Sequence, residues 1–239
     1  MIFICFYDSK NKILCEFAFL SLALAAALKL TPAILGVILI MQKKWKEAVR
    51  TILYGIAFFI LPFLFLKGGI RNFSLFLRNL SLQLDAYKED DGCNIMGYIL
   101  RYFAGYSDSL STVCTVITVI ICFVLMIAAF YAHKNSDRLL YLCLIMLILP
   151  AHSATYCILY LIPVILAVLN ESSKKKLDIY IIIGGCLCCC ELGGYTGFFL
   201  INHYNGVLII LLCALIRAIE TLIVKFKRGA TDQDINLLY

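Results

Sequence analysis

The stretch Ala25-Ala26-Ala27-Leu28-Lys29-Leu30-Thr31-Pro32 decides how this chain is read. It sits inside residues 13–41, which are almost wholly apolar, and puts one ammonium in their middle. Pro32 lacks a backbone N–H and disfavours helix at the residue before it, so a helix should break at the charge. A cation at membrane depth is expensive and is kept for a partner or a function. The plainer reading is a lysine snorkelling to an interface. The sharper one is a seat for an anionic group such as a lipid phosphate.

Composition agrees with a membrane setting. The chain is 63% hydrophobic and 15% charged, with mean hydropathy +0.94, whereas soluble domains carry about a quarter charged residues. Apolar runs near 13–28, 30–41, 51–66, 110–131, 139–149, 156–169, 179–199 and 206–224 predict an all-α polytopic helical membrane protein of about 7–8 membrane segments. No alternating β pattern of the barrel kind occurs in the sequence. The net charge of +6 falls in short clusters between apolar runs, with no basic stripe interleaved with aromatics for nucleic acid.

Those clusters set an orientation. Lys10 and Lys12 precede the first pair of runs; Lys43, Lys44, Lys46 and Arg50 follow it. Basic flanks at both ends favour a hairpin over one kinked helix, with Lys29 at the far side. Lys134 and Arg138, Lys174 to Lys176, and Lys225, Lys227 and Arg228 recur at every second connection, while 150–155 and 200–205 hold no Lys or Arg. The expected organisation is one integral membrane domain over 1–239. It comprises a broken hairpin at 13–41, a long external loop at 67–109, a bundle at 110–224 and a cytoplasmic tail at 225–239.

The loop has its own pattern. Ile70, Phe73, Leu77, Leu80 and Leu84, with Phe76, oppose Arg71, Arg78, Ser81 and Asp85, which describes a helix lying in the headgroup plane. A second element is expected from Ile95 to Phe103, with Lys88-Glu89-Asp90-Asp91-Gly92 as a turn between them. Asn72-Phe73-Ser74 and Asn79-Leu80-Ser81 match the glycosylation triplet only weakly. Most of the twelve cysteines lie in apolar runs and read as small apolar residues. Only Glu191 stands near them as a further ligand, so neither metal nor other cofactor is expected. Glu191 and Arg217 interrupt the last two runs at depths of about 18 and 14 Å from the cytoplasmic ends and are expected to pair, with Glu220 a local partner for Arg217.

The Ala25–Pro32 stretch, followed by Lys43-Lys44-Trp45-Lys46, resembles the signature of glycosyltransferase family 87. Asn94-Ile95-Met96-Gly97-Tyr98-Ile99-Leu100-Arg101 resembles the family's external segment. Pro150-Ala151-His152-Ser153-Ala154-Thr155-Tyr156, then Leu161-Ile162-Pro163, resembles its short connection between two late spans. Ile95 and Met96 stand where the family usually carries a polar pair, and Ala154-Thr155 where it often carries an aromatic. The resemblance covers roughly 13–170 and implies a C-type membrane enzyme that takes a mannose-like hexose from a polyprenyl-phosphate-linked donor at the outer membrane face. It implies substrate-binding roles for Lys29, Thr31, Asn94, Arg101, His152 and Tyr156. Such enzymes carry their catalytic carboxylate in a first external loop, and no such acidic loop precedes Lys29, so the chain reads as a carboxy-terminal half lacking upstream spans. Asp85, Asp90, Asp91 and Asp108 are the aspartates of the external loop. The expected location is a bacterial plasma membrane. The alternatives are a transporter or flippase for a lipid-linked sugar, which requires a second helix break, and a catalytically silent fragment.

Overall fold

A computed structural model describes residues 1–86, 95–102, 107–150, 155–171, 176–189 and 203–236. Among the described residues the regular structure is all helical. The chain divides into two units, Met1–Asp90 and Asp91–Tyr239.

The first unit begins with α1 (Ile2–Phe6) and α2 (Lys12–Leu28). Asn11 caps α2 by accepting the Ile13 N–H at 3.0 Å. The helix stops where the proline demands it: Lys29 is extended at φ −148° and ψ 118°, and its N–H closes the last turn on the Ala25 carbonyl. The chain resumes as a 3₁₀ segment, Thr31–Gly36, with Pro32 in its first turn, and passes into α3 (Val37–Met41). The Gln42 amide donates to the Tyr7 hydroxyl at 3.1 Å, and Lys44 pairs with Asp8. The return limb therefore ends beside the start of α2, which makes a hairpin and not a kinked rod.

Lys43 turns the chain in the left-handed region, at φ 58°, into α4 (Trp45–Phe65), which packs along α2. Glu16 of α2 pairs with Arg50 of α4 and accepts a long bond from the Tyr54 hydroxyl, 3.4 Å; Arg50 also stands 5.9 Å from the Phe19 ring. A carboxylate thus interrupts the apolar run as well as Lys29, and two of the cations read as flanking charge, Lys44 and Arg50, are paired with acids.

Gly68 and Gly69, at φ 109° and 58°, turn the chain into α5 (Arg71–Ala86), the expected amphipathic helix. Asn72, of the first glycosylation triplet, donates its amide to the Lys67 carbonyl at 3.1 Å. Phe73 and Phe76 of α5 meet Phe59 and Phe63 of α4 edge to face, with centroids 5.6–6.3 Å apart. These rings are where α5 touches α4, while Leu77 and Leu80 on the same helix stay exposed.

The second unit contains α6 (Ile95–Tyr102), α7 (Asp108–Tyr131), α8 (Asn135–Ile148), a 3₁₀ segment Thr155–Leu161 leading into α9 (Ile162–Leu169), α10 (Lys176–Cys188) and α11 (His203–Asn236). Ser107 caps α7, and Asp108 lies in its first turn, where a carboxylate suits the helix dipole. Every residue from Leu140 to Ile148 is buried, so α8 is the core of this unit and α7, α9 and α11 pack against it. Helices α10 and α11 touch through glycine: a Cβ on Gly206 would fall 2.6 Å from the Gly184 carbonyl oxygen.

Three described helices are long and apolar enough to cross a bilayer: Trp45–Phe65, Asp108–Tyr131 and Tyr204–Lys227. The expected all-helical class holds, but these three helices, and not the expected 7–8 segments, are what the described residues show. Helices form on the other runs, but α2 has 17 residues, α8 has 14 and α10 has 13.

Candidate functional site: a helix break beside an apolar cavity

Within the first unit, α2, the return limb, α4 and the start of α5 enclose a cavity of about 620 Å³. Small residues make the room, because Ala26 of α2, Ala33 and Gly36 of the return limb and Gly55 of α4 present no bulk across it. A Cβ on Gly55 would meet only the Ala23 carbonyl oxygen, at 3.9 Å. Thr51 is the polar side chain in the wall, and its hydroxyl is satisfied by the Glu47 carbonyl at 2.8 Å. The volume falls within the range of ligand sites, and an apolar wall of this kind holds an apolar guest.

The helix break stands beside this cavity. Leu30 lines it, with Lys29 on one side in sequence and Thr31 on the other. Lys29 is half-buried, and the Thr31 hydroxyl is buried without a hydrogen-bond partner. A buried hydroxyl left unpaired is costly. The break therefore puts a cation and a buried hydroxyl next in sequence to a wall residue of an apolar slot, although neither side chain is itself part of the wall.

Of the six residues expected to bind substrate, Lys29 and Thr31 come together here. Arg101 is the penultimate residue of α6 and Tyr156 the second residue of the 3₁₀ segment Thr155–Leu161, both in the second unit. Asn94 and His152 lie outside the described residues, as do Asp90 and Asp91.

The expected Arg217–Glu191 pair falls outside the described residues, and the described partners of Arg217 are others. Arg217 of α11 donates to Asp137 of α8 at 2.8 Å and to Asp178 of α10, with Arg217 5% and Asp178 1% exposed; Glu191 lies outside the described residues. Two acids at helix starts enclose one guanidinium, which joins three helices in the low dielectric where such pairing matters. Nearby, Glu171 accepts from Lys134 at 2.6 Å and from Ser136. Burial pushes the Glu171 carboxyl up, but the bonds from Lys134 and Ser136 outweigh it and hold the group below its ordinary value. The same bond raises Lys134. The signal that could have found these pairs is an acid in the first turn of an apolar run, as at Asp137, Asp178 and Glu16. Among the described residues no group of His, Cys, Asp and Glu is gathered for a metal.

The chain's relatives bear on the cavity and the break. A family model described as Glycosyltransferase family 87 matches residues 7–153, which take in the whole hairpin and the cavity. No curated protein and no solved structure matches the chain.

Proposed function

Since this chain belongs to glycosyltransferase family 87, a family of membrane glycosyltransferases, we propose that it transfers a mannose-like hexose from a polyprenyl-phosphate-linked donor to an acceptor hydroxyl at the outer membrane face. The observation that carries this reading is the helix break at Lys29–Thr31 beside the cavity of about 620 Å³. The prenyl chain takes the slot between α2 and α4; the phosphate meets Lys29 Nζ and the Thr31 hydroxyl.

In the transfer, the bond from the anomeric carbon to the donor phosphate oxygen breaks and a bond to the acceptor oxygen forms. The negative charge growing on the leaving phosphate is met by the Lys29 ammonium, already in place before reaction. The acceptor proton goes to a carboxylate acting as base. Asp85, Asp90, Asp91 and Asp108, the aspartates of the external segment, are the candidates for that base. Asn94, Arg101, His152 and Tyr156 are further proposed substrate contacts, on the strength of the family resemblance alone.

The test is transfer of radiolabelled hexose from polyprenyl-phosphate donor by the full-length protein in proteoliposomes. Lys29→Ala should lower kcat/KM at least tenfold. Transfer undiminished by that change, or a position 29 that impermeant reagents reach only from the cytosolic side, would sink the reading. The transport alternative has one observation in its favour: the second unit also holds a short apolar element that opens as 3₁₀ and contains a proline, Cys157–Leu169. Movement of labelled lipid across the bilayer without any new glycosidic bond would select it.

A further inference from the structure

The second unit holds a different cavity, of about 530 Å³, where α7 ends, α8 begins and α11 runs past both. Its wall contains four permanent cations, Lys134, Arg138, Arg217 and Lys225, against two carboxylates, Asp137 and Glu220, with His133 exposed at the rim. Asp137 is already engaged by Arg217.

These cations are held in place by the protein. Arg138 Nε donates to the Ala132 carbonyl at 2.9 Å, leaving the far end of its guanidinium for another acceptor. Lys225 Nζ lies 5.5 Å from the Tyr131 ring centroid. Lys134 is drawn in by Glu171. Arg217 is fixed by both its acids, yet its buried Nε–H has no hydrogen-bond partner. Cations whose rotamers are set before a ligand arrives lose less entropy when it binds. A solvated basic surface has no need of such fixing.

We propose that this cavity is a binding site for a phosphate ester, contacted by Arg138 and Lys225 and framed by Arg217 and Lys134. The volume suits a lipid headgroup, and a free phosphate offers the same chemistry. On the orientation expected from the basic connections this is the cytoplasmic end of the second unit's bundle. The site is independent of the glycosyl-transfer reading, and neither stands or falls with the other.

The purified full-length protein in neutral detergent is titrated with short-chain phosphatidylglycerol, short-chain phosphatidylcholine and inorganic phosphate, with binding followed by native mass spectrometry and calorimetry. One phosphatidylglycerol should bind per chain, and the double change Arg138→Gln with Lys225→Gln should weaken it at least tenfold. Glu220→Gln removes the one unpaired carboxylate in the wall and should tighten binding about two- to fivefold. Circular dichroism and the thermal midpoint should be unchanged in both variants. Binding of inorganic phosphate in competition with the lipid identifies free phosphate as a sufficient ligand; binding of the lipid alone identifies the headgroup; either supports the site. Binding that does not saturate, equal affinity for phosphatidylcholine, or indifference to all three substitutions would overturn it.

Discussion

Each unit contains an apolar element that starts as a 3₁₀ segment and ends as a short α-helix, Thr31–Met41 in the first and Thr155–Leu169 in the second. Both have a proline near a junction, yet their surroundings differ. Cys157, Leu161, Val164 and Val168 are buried and fill their space. Ala33 and Gly36 instead face a slot of about 620 Å³ and stand next to Lys29 and an unsatisfied Thr31 hydroxyl. The same backbone device serves as packing in one place and as the edge of a cavity in the other. What separates them is side-chain volume and one charge.

The strongest way to break this contrast is to attack the packed unit at its charges. Asp178→Ala leaves Arg217 buried with one acid fewer and should destabilise by about 3–5 kcal/mol, read as loss of folded protein and a lower thermal midpoint. Joining it to Arg217→Met should recover most of the loss, because the uncompensated charge goes too. Next comes the glycine seam: Gly206→Ala drives a methyl into the Gly184 carbonyl and should cost about 1–3 kcal/mol, with separation of α10 from α11 visible as faster hydrogen exchange in both.

The hollow unit should respond in the opposite way. Gly55→Leu has space to enter and should leave stability within about 1 kcal/mol while raising KM for the lipid-linked donor at least tenfold. A variant that keeps normal donor KM would show that the slot is not where the tail lies. Smaller still is the Lys134–Glu171 pair, worth at most about 1 kcal/mol at its exposure. Glu171 is lowered, so its contribution is present above its unfolded value, near 4.5, and fades as pH falls through the folded one. Lys134 is raised, so its contribution is full below about 10.5 and fades as pH rises through the folded value. The stability gap between the natural protein and Glu171→Gln should be flat between these limits and close beyond each. The smallest change is Lys43→Gly, which relieves a positive φ and should gain about 0.5–1 kcal/mol.

Legibility in the sequence followed the range of the interactions. The end of α2 at Leu28, the 3₁₀ start at Thr31 and the helix Arg71–Ala86 follow from a proline and a spacing of three and four, all short-range signals. The partners of Arg217 were not legible. Asp178 and Asp137 lie 39 and 80 residues away, and only the packing of α8, α10 and α11 makes them neighbours. The Glu16–Arg50 pair spans 34 residues and escaped for the same reason. The slot was equally hidden, since alanine and glycine announce a close approach or a void with the same letters.

The rise of the 3₁₀ segment has a consequence for the surrounding bilayer. Thr31–Met41 reaches about 20 Å, and α2 about 26 Å, against a hydrocarbon layer of about 30 Å. Lipids beside this edge must thin or tilt to meet it. If Lys29 holds a lipid phosphate as proposed, that phosphate would sit deeper than its neighbours in the leaflet, and the water-facing boundary would come inward to the sugar.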